Sequence, residues 1–235
     1  MNPEKTADHT RTLVPIAHIR TDFPTKFGIP RQAGIVEALR GKIVFEPEYR
    51  TDDALRGIEG FSHLWLIWGF SGNASAAWSP TVRPPRLGGN TRMGVFATRS
   101  PFRPNRLGLS CVRLLEVRKE PGYGSSLLVA GADLMDGTPI YDIKPYLPYA
   151  DCVPDARAGF APDAGEPLQV DFPEKLQKAV PPEKRDALLA VLMHDPRPRY
   201  QDDASRVYGM AFAGLDVRFR VDSGTVYVTE VLPEP

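Results

Sequence analysis

Cysteine is scarce in this 235-residue sequence: Cys111 and Cys152 are the only two, and neither has metal-ligand spacing or a histidine beside it. That disfavours a disulfide framework and a zinc site, and predicts free thiols in a reducing compartment, hence a cytoplasmic protein. The four histidines (His9, His18, His63, His194) are scattered, so no metal is expected and a metal-dependent nuclease is a poor reading. Long apolar runs are also missing. The opening MNPEKTADHTR is polar, which argues against a secretory signal. The longest apolar stretch, Phe61 to Phe70, is interrupted by Ser62 and His63 and is too short for a bilayer, so no membrane partner is expected. No G-x-G-x-x-G follows a strand with an acidic residue downstream, which removes the usual mark of a Rossmann sheet. Net charge is absent as well: 29 Lys and Arg balance 29 Asp and Glu, so the whole-chain total says nothing about an anionic partner.

What is present is a succession of short strand signals. Residues 12–20 begin with apolar and β-branched residues and read as a first strand. Ile35–Phe45 holds two apolar runs parted by Arg40-Gly41, the pattern of a hairpin or a bent strand. Asp52–Gly57 allows one helical turn at most. Phe61–Phe70 has large apolar residues on both parities, which predicts a strand buried on both faces. Further strands are predicted over Met93–Thr98, Leu107–Val117 and Ser126–Leu134, and over Thr138–Ile143 after an Asp136-Gly137 turn. The expected class is mainly β, with a small single β-barrel over 12–150. Residues 151–173 are rich in Pro, Asp, Ala and Gly and read as a linker or long surface loop. A helix is predicted over Glu183–His194, and a hairpin turning at Asp222-Ser223-Gly224, so a small α+β C-terminal domain is expected at 170–235.

Charge is unevenly distributed. From Gly60 to Arg113 there is no Asp, Glu or Lys, yet the stretch holds Arg83, Arg86, Arg92, Arg99, Arg103, Arg106 and Arg113. Guanidinium groups match phosphate and stack on bases, so one reading is an anion-binding surface. The other is that these arginines pair with the aspartates after Asp133 in the folded chain. In VRPPRLGGNTR and RSPFRPNR the arginines alternate with Pro and Gly, which places them on rigid or tightly turned loops. His63, on an apolar strand, reads as a hydrogen-bonded core histidine. Leu109 by itself reads as core.

The long motifs are more specific. TVRPPRLGGNTRMGVFATRSPFRPN (Thr81–Asn105), with RLGLS (Arg106–Ser110) after it, resembles the signature region of the TsaA-like family of tRNA methyltransferases. So do GIPRQAG (Gly28–Gly34), LRGIEGFSHLWLI (Leu55–Ile67) and DLMDGTPIYDIKPYLPYAD (Asp133–Asp151). The resemblance runs in order from about Ile16 to Asp151 and continues more weakly through DPRPRY (Asp195–Tyr200). One departure is Arg106-Leu107, where the family usually has Pro-Ile.

The resemblance implies a non-Rossmann barrel, used as a homodimer, with S-adenosylmethionine bound beside it. It implies N6-methylation of threonylcarbamoyladenosine on the 3′ side of the anticodon, with threonine tRNA the expected substrate. Carried over by motif, the cofactor-binding residues are Pro30, Arg31, Gln32, Ser71, Gly72, Arg99, Leu109, Asp133, Leu134, Met135 and Asp136. Within that set, Arg31 or Arg99 would pair with the methionyl carboxylate and Leu109 and Met135 would pack on adenine. Asp133–Asp136 would accept from amino groups. Asp136, Tyr141 and Tyr146 lie in the right motif for a proton acceptor, but none is assigned. For the tRNA anticodon loop the contact candidates are Arg83, Arg86, Arg103 and Arg106, with Arg197, Arg199, Arg218 and Arg220 of the C-terminal unit extending that surface or merely capping the barrel. The competing class is a non-catalytic module that senses S-adenosylmethionine or docks RNA. The broad arginine surface favours the enzyme.

Overall fold

A computed structural model describes residues 11–72, 77–121, 124–163, 165–197 and 203–234. Its strands are β1 (Ala17–Arg20), β2 (Arg40–Phe45), β3 (His63–Gly69), β4 (Thr81–Val82), β5 (Met93–Gly94), β6 (Leu107–Glu120), β7 (Gly124–Ala130), β8 (Pro139–Pro145), β9 (Gln169–Asp171), β10 (Tyr208–Phe212), β11 (Leu215–Asp222) and β12 (Thr225–Pro233). Its helices are α1 (Asp52–Leu55), α2 (Pro148–Asp151), α3 (Glu174–Gln177) and α4 (Pro182–Met193). The mainly β class read from the sequence holds. Arg199 and His9 lie outside the described residues.

Six strands close on themselves in the order β1-β2-β7-β6-β3-β8, with β8 pairing back onto β1. All these pairings are antiparallel, so alternate residues face the interior. Ile19, Ile43, Leu64, Leu66, Val112, Leu127, Val129 and Ile140 fill it. The closed sheet corrects one expectation. In β3 only Leu64, Leu66 and Trp68 are buried among the large apolar residues, while His63, Trp65 and Ile67 are half-buried on the outside. The Tyr146 ring, 5.9 Å from that of Trp65, covers part of that outer face. His63 is accordingly not in the core, and its Nδ1 lies 2.9 Å from the Ser62 hydroxyl.

Two other expectations need correction. Arg40-Gly41 starts β2 and does not turn the chain; Gly41 pairs with Val129 of β7, and a Cβ there would lie 2.9 Å from Ile19 Cδ1. The strand expected over Met93–Thr98 lasts only through Gly94, and Val95–Ala97 forms a 3-10 turn.

The C-terminal sheet has the order β10-β11-β12-β9, with β9 parallel to β12. Ser223 (φ 46°) and Gly224 (φ 77°) make a two-residue turn between β11 and β12, the positive-φ pair that suits the twist of a hairpin. The helix α4 starts with Pro182, where the missing N–H costs nothing, and buries Ala187, Leu188, Val191 and Leu192. This core also takes in Phe23, Val36 and Leu39 from the segment between β1 and β2. Phe23 packs edge-on against Phe212 at 5.3 Å, and Phe27 stacks on Tyr208 at 6.3 Å. Lys184 Nζ reaches Asp22 at 2.7 Å. The β1–β2 segment is therefore joined to the barrel by the chain and to the C-terminal core by packing.

Candidate functional site

That segment carries the first part of the site. Gly28 has φ 93°, and a Cβ there would meet Met210 Sδ at 2.2 Å, so the backbone lies against the Met210 side chain of β10. Further on, the Gly34 amide donates to Gly131 O at 2.8 Å, and the Gly131 amide to Leu39 O at 3.1 Å. Pro30, Arg31 and Gln32 are thus held between two anchored glycines. Arg31 Nη2 also donates to the Arg197 carbonyl at 3.2 Å, which links this segment to the C-terminal unit.

These three residues line a cavity of about 420 Å³ together with Ser71, Gly72, Arg99, Leu109, Asp133 and Met135. A space of this size, with apolar walls and few polar groups, suits a small ligand. Ser71 and Gly72 follow the end of β3, Leu109 sits on β6, and Asp133 and Met135 follow β7. Leu109 is 55% exposed, so it is not a core residue. Leu134 and Asp136 do not line the cavity. Leu134 is buried in the barrel core between two residues that face the opposite way. Asp136 accepts from the Thr21 amide at 3.0 Å and pairs with Arg20 at 3.3 Å, which closes the turn before β8.

Asp133 is the only carboxylate lining this cavity among the described residues, against Lys26, Arg31, Arg99 and Arg103. Burial pushes its pKa upward, opposed by the Ser110 hydroxyl, the amides of Asp133 and Ala33, and the charge of Arg99. Ser110 donates to Asp133 Oδ1 at 2.6 Å while accepting from Trp68 Nε1 at 2.9 Å. An indole N–H can only donate, so the serine proton is directed at the carboxylate. Trp68 can lie across β6 because its partner there is Gly108, where a Cβ would stand 2.3 Å from the indole. Trp68, Gly108 and Ser110 were not singled out in the sequence. Their relation depends on strand register, which leaves no local signal. Arg99 Nη1 donates to Gln32 Oε1, tying the two sides of the mouth together.

The four candidate RNA-contact arginines differ in their surroundings. Arg83 lines a separate surface cleft with Gly88, Gly89 and Asn90. Arg86 is paired with Asp163, as the second reading of the arginine stretch expected. Arg103 turns inward and donates to the carbonyls of Val95 (3.2 Å) and Thr98 (2.7 Å). Arg106 has φ 48°, an angle a proline ring forbids, so the loop before β6 differs in shape from one built with proline there. In the C-terminal unit, Arg218 pairs with Asp216 and Glu230, and Arg220 lies 4.3 Å over the Tyr227 ring. No group of residues with metal-ligating geometry occurs among the described residues.

Comparison with known proteins adds to this geometry. Residues 18–152 match the family model described as the tRNA-methyltransferase O N-terminal domain, and residues 165–234 match that of the TrmO C-terminal domain. The tRNA (adenine(37)-N6)-methyltransferase of Escherichia coli K12 is 44% identical over 220 residues, covering 89% of this chain and 93% of that protein. The protein of the same name from Eikenella corrodens is 49% identical over 173 residues, covering 73% of this chain and 97% of its own length. RcsF of Pseudomonas aeruginosa PAO1, named a putative S-adenosylmethionine-dependent methyltransferase, is 41% identical over 219 residues, covering 89% of this chain and 92% of that one. A crystal structure of TrmO superimposes with a TM-score of 0.78 at 34% identity, covering 95% of this chain and 99% of that one.

Proposed function

Because this chain belongs to the tRNA-methyltransferase O family, we propose that it transfers methyl from S-adenosylmethionine to N6 of threonylcarbamoylated adenosine, 3′ to the anticodon of threonine tRNA. At the coarser level it is an S-adenosylmethionine-dependent tRNA adenine-37 N6-methyltransferase, an enzyme and not a sensor. The observation that carries the site is the convergence of PRQ, Ser71-Gly72, Arg99, Leu109, Asp133 and Met135, far apart in sequence, on one cavity.

The donor set fits this cofactor. Asp133 offers an acceptor to the ligand's ammonium and the arginines offer donors to its carboxylate, while Trp68, Phe70, Leu109 and Met135 offer apolar walls to its adenine. When bound, S-adenosylmethionine supplies a methyl group already activated on sulfonium. The chain's own part is positioning and exclusion of water. Asp133 accepts from the amino group of the methionyl end, and Arg99 or Arg31 faces the carboxylate. Leu134, packed in the barrel core, and Asp136, bonded to the Thr21 amide and paired with Arg20, act by shaping the chain beside the cavity.

The proposal includes a cofactor-binding barrel domain over 12–150 and an α+β domain over 170–235. It includes a homodimer that covers the outer face of Trp65, Ile67 and Leu109, since Leu109 both lies on that face and lines the cavity. A cytoplasmic location accords with a tRNA substrate. No helix among the described residues is long and apolar enough to cross a membrane.

The test is transfer of labelled methyl to threonine tRNA prepared with and without the threonylcarbamoyl group. Labelling of the modified tRNA alone, at the adenosine 3′ to the anticodon, is expected. Equal labelling of both would remove the threonylcarbamoyl requirement, and cofactor binding without transfer to either would remove the substrate.

A further inference from the structure

Beside the cavity one aromatic ring is displayed to solvent on a fixed mount. Phe96 is 75% exposed, while its neighbour Val95 is 1% exposed. The turn Val95–Ala97 is tied down on every side. The Val95 amide donates to Pro80 O at 3.0 Å, and its carbonyl accepts from the Thr98 amide and hydroxyl at 3.1 and 2.8 Å. Arg103 adds bonds to the Val95 and Thr98 carbonyls, and its guanidinium lies 5.7 Å from the Phe96 ring centroid. Thr98, Arg99 and Arg103 themselves line the cavity, so the ring stands at its rim.

Leaving a phenyl ring in water forgoes its burial, and here five hydrogen bonds fix the local backbone that presents it. The surroundings indicate what covers it. The ring lies within Gly60–Arg113, a stretch with seven arginines and no carboxylate, which repels basic protein surface and attracts phosphate. An unpaired base offers a flat face to the ring and a phosphate to the arginines.

We propose that Phe96 is a stacking platform for an unpaired anticodon-loop base flanking the target adenosine. Arg103, bonded to the Val95 and Thr98 carbonyls, braces the turn that carries the ring. The proposal rests on the reading of tRNA as substrate.

The test uses the full chain with a threonylcarbamoylated anticodon stem-loop and, as a control, a fully paired RNA of equal length. Phe96→Ala should weaken stem-loop binding about 5- to 150-fold, the range for losing one base–aromatic stack. Phe96→Trp should restore it and Phe96→Leu should not. Cofactor affinity, elution volume and the dependence of binding on salt should stay as in the wild type, because the lost contact is neither ionic nor in the cavity. Wild-type stem-loop affinity in Phe96→Ala, or rescue by Phe96→Leu, would overturn the platform. So would loss of self-association, which would make the ring a contact between copies of the chain. If the wild type binds no stem-loop better than paired RNA, the tRNA reading itself fails and takes the platform with it.

Discussion

At the scale of single residues, the site turns on one half-buried carboxylate and its support. Asp133 has a raised pKa, chiefly from burial, so acidification neutralises it earlier than an exposed aspartate. Cofactor affinity should therefore fall as pH drops through that raised value. The same proton uptake favours the folded apoprotein, because the unfolded aspartate still titrates lower. Removing the Ser110 hydroxyl takes away a contact that pulls the pKa down. Ser110→Ala should thus shift the loss of cofactor binding to higher pH and cost about tenfold in affinity at neutral pH, as for a hydrogen bond to a charged group. Calorimetric titration across pH decides this; an unchanged profile would show that Ser110 does not set the charge of Asp133. Ser110→Thr should retain most of the effect. Arg99→Ala should weaken cofactor binding without changing its pH midpoint downward, since Arg99 also favours ionised Asp133. Unaltered affinity would remove the proposed carboxylate clamp.

At the scale of elements, the β1–β2 segment couples the two cores. Gly28 and Gly57 offer a controlled comparison, because both have φ near 90° but only Gly28 has a neighbour where a Cβ would go. Gly57→Ala should cost about 1 kcal/mol, the strain of a side chain in left-handed backbone. Gly28→Ala should cost clearly more, because Met210 must also move, and it should raise KM for the cofactor through Pro30–Gln32. Chemical denaturation of both variants tests this. Equal losses, with KM unaffected, would show that Met210 yields freely and that the anchoring does not reach the site. The same coupling bears on the C-terminal unit. Deleting 165–234 would uncover Phe23, Val36 and Leu39, so the barrel left behind should have lower cofactor affinity as well as lower stability.

At the scale of the whole molecule, a neutral chain carries an arginine-rich stretch free of carboxylates, so tRNA binding should weaken steeply as salt rises despite zero net charge. The arginines should contribute unequally. Arg83, in an open cleft, should lower the salt slope by about one when replaced by Ala if it meets one phosphate. Arg86→Ala should change the slope less, because Asp163 already neutralises that side chain. Filter binding at a series of salt concentrations separates them, and identical slopes for both variants would argue against Arg83 as a phosphate contact.

Much of this was legible along the chain. Alternation and turn residues marked the strands of the barrel, Asp222-Ser223-Gly224 marked the last hairpin, and the motif residues of the cavity could be named before their geometry was known. Those features are local: a strand's parity, a turn's need for positive φ and a family motif are all written in neighbouring residues. Tertiary structure alone decided which side chain of Asp133–Asp136 faces the cavity, that Arg103 braces a turn while Arg83 lines an open cleft, and that Phe23 belongs to the C-terminal core. It also brought Trp68, Gly108, Ser110 and Asp133 into one chain of contacts. The physical reason is that register and closure determine neighbours across strands, and pairing energies between residues 42 or 23 positions apart leave no trace in the sequence around either one.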